Sequence, residues 1–430
     1  MLWVGVLAAA APARAQLLDQ IRNPDIPGTG TEPGVTVLSR LRPEYDYKTV
    51  RVGSLVLRPE LVSSTGYDDN VLGRPRAVGS VLQVTQSALD VRTDWSRHGV
   101  FANVTVEDNQ FFDQPRQSYT NWAASAGGRY DIGRDTASVN FYHQNLNQTP
   151  RDLNSASIDS SIAYRVDTVQ AAYNAVFNRI SVQPAVQVSM YNFDDGIVGG
   201  QVYRQAFRNR TVATPNVTVN YEVAPRRNLV AVVRNAVASY RTPDTGGFVR
   251  DFNDTSVLGG LDYQGPGPWR YRALIGYERR VFSSAAFRTI QAPIAELSVN
   301  YNLSGLTTLT TTLTRRIADS ADEGTAGLTE TAAQFSVDHE LKRNILLRGE
   351  TRVALAEFGN SGGTQTLYSA GASATWLLNR NMRLAASYGF TARESRSQGF
   401  QANTFALGTN AVLGSNYIEN RYLLRLSLGL

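Results

Sequence analysis

The chain has 430 residues and a formal net charge of +5, with 42% hydrophobic, 18% charged and 10% aromatic residues and no cysteine. Without cysteine there is no disulfide framework and no thiolate metal site. The charged fraction is low for a soluble enzyme, the hydrophobic fraction is too small for a helical membrane protein, and the abundant Ala, Ser, Thr, Asn, Gln and Gly suit strands with one lipid face and one wet face.

Leu2 to Ala11 form a short apolar run ahead of Ala13-Arg14-Ala15, so residues 1–15 read as a signal peptide. Residues 16–50 hold Pro24, Pro27, Gly28, Gly30, Pro33, Gly34 and Pro43 with little periodicity, and read as an irregular periplasmic extension. No later stretch has the roughly 20 continuous apolar residues of a membrane-spanning helix.

From residue 51 to 430 one unit repeats: a strand, a tight turn, a second strand and a longer polar loop. Tight turns fall at 95–99, 132–135, 177–179, 225–228, 265–268, 303–305, 341–344 and 379–381, several with the Gly, Pro and Asn that turns require. Longer connections lie near 66–79, 111–117, 147–157, 194–201, 242–252, 283–287, 318–328, 358–364 and 396–400. Short turns at one end and long loops at the other are the asymmetry of an outer-membrane barrel. Strand faces alternate, with Trp269, Tyr271, Ala273, Ile275 and Tyr277 opposite Arg270, Arg272, Gly276, Glu278 and Arg280. Aromatic residues near strand ends, including Trp122, Tyr130, Tyr221, Trp269, Tyr301, Trp376, Tyr388 and Tyr422, suit interfacial girdles.

The predicted fold is therefore all-β: a closed antiparallel up-and-down transmembrane barrel of about eighteen strands, integral to a bacterial outer membrane. About eighteen strands are counted from Arg51 to Leu413, and residues 414–430 add one more strand-like stretch. Either one strand has been split in two, or the tail replaces residues 401–413 as the closing strand. The tail alternates Tyr422, Leu424, Leu426, Leu428 and Leu430 against Arg425, Ser427 and Gly429, and resembles the terminal signal read by the barrel assembly machinery. Outer-membrane lipid and lipopolysaccharide are the expected surroundings.

The segment Arg51-Val52-Gly53-Ser54-Leu55-Val56-Leu57-Arg58-Pro59-Glu60-Leu61, followed by Gly66-Tyr67-Asp68-Asp69-Asn70-Val71, resembles the opening of the putative β-barrel porin 2 family. Thr93-Asp94-Trp95-Ser96-Arg97-His98 and Gly127-Gly128-Arg129-Tyr130-Asp131 resemble it too. The resemblance implies an outer-membrane barrel without established enzymatic activity, in a family often associated with exopolysaccharide or capsule export components.

Arginine supplies nearly all the positive charge, since Lys48 and Lys342 are the only lysines, and it recurs singly rather than in the patch a nucleic-acid binder would show. Pore-lining candidates are Arg270, Arg272, Glu278, Arg280, Glu296 and Asp338, with Arg348, Glu350, Arg352, Arg383 and Arg393. Such arginines tune a pore toward anions and suit acidic sugars; equally, Arg/Glu ladders could merely fill and rigidify the lumen. Asp68, Asp69 and Asn70 are a loop cluster that could help bind Ca²⁺, or a polar turn bonding its own backbone. His98, His143 and His339 show no metal-ligand spacing, and no cofactor or catalytic site is expected.

Three functions follow. The first is a porin-like channel for polar or anionic solutes, extending to a polysaccharide conduit. The second is a structural or adhesive barrel with a plugged lumen and partner-binding outer loops. The third is a barrel-embedded lipid or peptide hydrolase built on His143 with Ser138 or Ser155.

Overall fold

A computed structural model describes residues 25–26, 35–155, 158–265, 267–322, 325–359, 363–396 and 414–429. The signal peptide, residues 16–24 and 27–34 of the N-terminal extension, Pro266, residues 397–413 and Leu430 lie outside the described residues.

A short strand β1 (Val50–Val52) precedes β2 (Leu55–Asp68), β3 (Ser80–Thr93), β4 (Gly99–Phe111), β5 (Tyr119–Ile132), β6 (Asp135–Gln148), β7 (Ile162–Phe177) and β8 (Ile180–Phe193). A small hairpin, β9 (Gly196–Val198) and β10 (Gln201–Tyr203), decorates the next loop. The wall continues through β11 (Arg210–Ala224), β12 (Arg227–Tyr240), β13 (Phe252–Tyr263), β14 (Trp269–Phe282), β15 (Ile290–Ser304) and β16 (Thr307–Asp319). It finishes with β17 (Gly327–Lys342), β18 (Ile345–Phe358), β19 (Thr364–Leu377), β20 (Met382–Arg396) and β21 (Tyr417–Gly429). Every wall strand pairs antiparallel with its predecessor, and β21 pairs with β2 from Glu60↔Gly429 to Asp68↔Arg421. The result is a closed barrel of eighteen strands. The tail past residue 413 is thus the closing strand, and residues 51–396 supply the other seventeen.

Closure has a steric condition at Gly66, where an added Cβ would lie 1.7 Å from the Tyr422 carbonyl oxygen. Below Glu60, where β21 has ended, β1 takes over the same edge of β2.

The wall strands run 12 to 16 residues. At about 3.4 Å per residue and a tilt near 45°, that length crosses the hydrocarbon layer with some to spare. Their outward faces are exposed and apolar, as at Ile275, Val257, Leu424 and Phe141. Trp269 stacks on Tyr301 near the turn end of the wall, and Tyr388 meets Tyr422 toward the loop end. Apolar residues outside and polar ones inside invert the soluble sandwich, and pairing the first wall strand with the last is the closure that a sheet in lipid would need.

One seam interrupts the wall. The β15–β16 ladder stops at Ala295↔Arg315, although both strands continue. The next positions would set Pro293 against Ile317, and proline has no N–H to contribute. Side chains from β14 replace the missing partners: Glu278 Oε2 accepts from Ile317 N at 3.1 Å, and Arg280 Nη2 donates to Ile317 O at 3.4 Å. A cavity of about 520 Å³ opens beside the seam, lined by Ile275, Gly276, Pro293, Ile294, Ala295 and Arg315.

Candidate functional site

Two segments enter the barrel, one at each end. From the loop end, residues 149–155 fold inward and reach the opposite wall. Leu153 packs against Leu328 and Phe358 on β17 and β18, and against Leu367 and Tyr417 on β19 and β21. Arg151 Nη1 donates to Asp68 Oδ2 at 2.6 Å and to Glu419 Oε1 at 3.0 Å. Arg393 Nη1 donates to the Pro150 and Asp152 carbonyl oxygens, at 2.8 and 3.0 Å. Asn154 N donates to Gln365 Oε1.

At the turn end, the described part of the N-terminal extension lies within the mouth. Arg42, only 2% exposed, and Arg40 both donate to Glu340 Oε2. Val37 N donates to Thr308 Oγ1 at 3.0 Å. The Arg383 guanidinium lies 4.0 Å from the Tyr47 ring centre, and burial pushes the Tyr47 phenol up to about 12. Farther along, Gln170 Nε2 donates to the Asp25 carbonyl oxygen at 2.9 Å.

Between these segments the lumen has two unlike walls. On β3 to β8 it presents amides: Gln86 and Asn109 both donate to Glu107, and Gln170 donates to Gln187. Across the barrel, β15 and β16 present Ser298, Asn300 and a row of threonines, with Thr310 bonded to Asn300. At the top of that row Arg316 pairs with Glu330 at 3.0 Å, yet its side chain is 67% exposed. Its register opposite Glu330 puts it on the inner face, so that exposure is to open space inside the barrel.

All eleven predicted lining residues lie on the inner face by strand alternation, but they do different things. Arg272 faces Asp262, Glu296 pairs with Arg234, and Arg348 bridges Asp338 and Glu350. Arg270 stands opposite Asn300, and Arg352 opposite Gln334. Glu278 and Arg280 hold the seam, with Arg280 also bridging Asp254 and Asp319. Arg383 and Arg393 clamp the two inserted segments.

The Asp68–Asn70 cluster is spent on protein partners. Asp68 faces the guanidinium groups of Arg151 and Arg421, Asp69 accepts from Asn420, and Asn70 donates to the Arg74 and Ile418 carbonyls. What stands against Asp68 is therefore two arginine cations. His143 bonds Asp167 at 2.6 Å on the outer face, whereas Ser138 lies on the inner face and Ser155 bonds Pro150 inside the lumen. The residues imagined as a hydrolase site are thus kept apart.

Sequence alternation missed Arg151, Arg208, Arg210, Arg250 and Arg316. Arg208, Arg210 and Arg250 gather at the loop end around aromatic rings. Arg208 lies 3.8 Å from the Phe193 ring centre, Arg210 4.2 Å from Tyr191, and Arg250 4.7 Å from Phe207. Arg210 is balanced by Asp319 at 2.8 Å. Burial, and after it the charge of Arg210, push the Arg208 guanidinium well below the usual arginine range. The adjacent Arg-Asn-Arg at 208–210 was the available signal.

The sequence matches the family described as Putative beta-barrel porin 2 over residues 42–413. The chain belongs to this porin family. The matched span stops short of β21, whose closing role is a fact of the structure alone. No curated protein matches the chain. Among solved structures it is similar to outer membrane protein OpdK from Pseudomonas aeruginosa, at 11% identity over 87% of this chain and 99% of that one, TM-score 0.45. It is also similar to Pseudomonas aeruginosa OccK2 (OpdF), at 13% identity over 87% and 98%, TM-score 0.44. The siderophore receptor PirA from Acinetobacter baumannii matches at 6% identity over 87% and 80%, TM-score 0.45.

Proposed function

We propose that this barrel sits in the bacterial outer membrane as a porin-like channel for small polar and anionic solutes. The observation that carries this reading is Arg316, which faces inward in a closed sheet and is still 67% exposed. An aqueous lumen is the environment in which such a side chain keeps its hydration. Eighteen strands enclose enough width for water. Residues 149–155 and the N-terminal segment narrow the two mouths, which suits small solutes better than a polymer and makes a polysaccharide conduit the weaker form of the proposal.

Those same insertions favour the second reading, a plugged structural barrel. Reconstitution into planar bilayers separates the two. Discrete conductance steps in potassium chloride are expected, and a silent bilayer at all voltages up to membrane breakdown would leave the plugged barrel standing.

A further inference from the structure

Arg208 differs from most arginines inside this barrel. Its Nη1 donates twice, to Gln148 Oε1 at 2.8 Å and to Gln205 Oε1 at 2.9 Å, and both acceptors are neutral amides. Among the described residues no carboxylate pairs with it. Its other edge, Nε with Nη2, makes no hydrogen bond, and neither atom is sealed from water. That edge is the fork with which arginine takes a carboxylate through two parallel bonds.

The added positive charge around it comes from Arg250, since Arg210 is balanced by Asp319. Arg210 donates to the Arg208 carbonyl oxygen, and the nearby Arg250 donates to the carbonyl oxygens of Ser320 and Asp322. The Phe193 ring fixes the guanidinium plane and itself stacks on Tyr164 at 5.0 Å. A half-buried cation with neutral partners is costly, and an arriving anion relieves that cost.

We propose that Arg208, supported by the charge of Arg250, forms a capture site for a carboxylate-bearing solute at the loop end of the lumen. The site rests on the channel reading for its purpose, since it would concentrate organic acids at the entrance, but its existence can be tested without conductance. The plainer account is that Arg208 only ties the 194–209 loop to Gln148.

The experiment is isothermal titration calorimetry on the full chain in detergent, with galacturonate as ligand and galactose as its neutral control. Saturable binding of galacturonate and none of galactose is expected. Arg208→Gln should weaken galacturonate binding at least tenfold. Arg208→Lys, which keeps charge without the fork, should fall between, and Arg250→Gln should weaken it several-fold. Retained heat-modifiable mobility on electrophoresis establishes that each variant is folded; should Arg208→Gln misfold, the Lys and Arg250 variants decide. Equal affinity for both sugars, no galacturonate binding, or unchanged affinity in folded Arg208 or Arg250 variants would each overturn the site. Absence of conductance in bilayers would count against the channel alone.

Discussion

Arg151 Nη1 lies 2.6 Å from Asp68 Oδ2, tying an inward-folded loop to the first long strand of the wall. Asp68 has no solvent exposure and also receives Arg421 at 2.7 Å. The pair belongs to a four-membered network with Glu419, two cations against two anions. Breaking such a buried pair from one side is costly because the surviving charges stay buried. Asp68→Asn should therefore loosen the loop. The expected result is a larger or noisier single-channel conductance, and a loss of about 3–5 kcal/mol at most, read from the thermal midpoint of heat-modifiable mobility. Unchanged current and midpoint would mean that Leu153 packing alone holds the loop.

Glu340 plays the corresponding part at the turn end. It accepts from both Arg40 and Arg42. Glu340→Gln keeps the shape and removes the charge, so the N-terminal segment should release. Limited proteolysis of the reconstituted protein should then cut within residues 40–46 several times faster than in the parent, and the mean conductance should rise.

The seam assigns Glu278 a structural task. Glu278→Leu strands the Ile317 N–H, an unmet buried donor that costs about 1–3 kcal/mol. Glu278→Gln retains an acceptor and should cost less. Chemical or thermal unfolding in detergent checks the order, and equal losses for the two variants would separate the seam from this hydrogen bond.

Arg316 is the charge best placed to act on passing ions. Arg316→Ala should move the reversal potential in a salt gradient toward cation preference, and Glu330→Gln should move it the opposite way. Both shifts should be larger at 0.1 M salt than at 1 M, because the screening length falls from about 10 Å to about 3 Å.

The connections were legible because their chemistry is local. All eight predicted tight turns, from 95–99 to 379–381, join consecutive wall strands, and the long connections join the others. The inner face was legible too, because a period of two assigns Arg272 and Arg348 without any distant contact. The fate of those charges was not. Whether Arg393 lines a pore or holds a loop depends on Pro150, 243 residues away. Arg42 and Glu340 are 298 residues apart, and nothing in either neighbourhood announces the other. Arg208 and Arg250 sit in loops outside any alternating strand, so alternation assigns them no face.

The seat of the N-terminal segment has a chronology built into it. Gly429 carries no side chain where a Cβ would come within 2.4 Å of the Tyr47 ring, and Arg383 holds that ring from β20. The floor under Tyr47 is thus shared between β20 and the closing strand, and it is complete only once β21 has zipped onto β2. Val37, Arg40 and Arg42 have their footholds on β16 and β17, so the segment can rest against the wall while the seam is open. Tyr47 is the latch: closing the hoop and locking the filled lower mouth are one step.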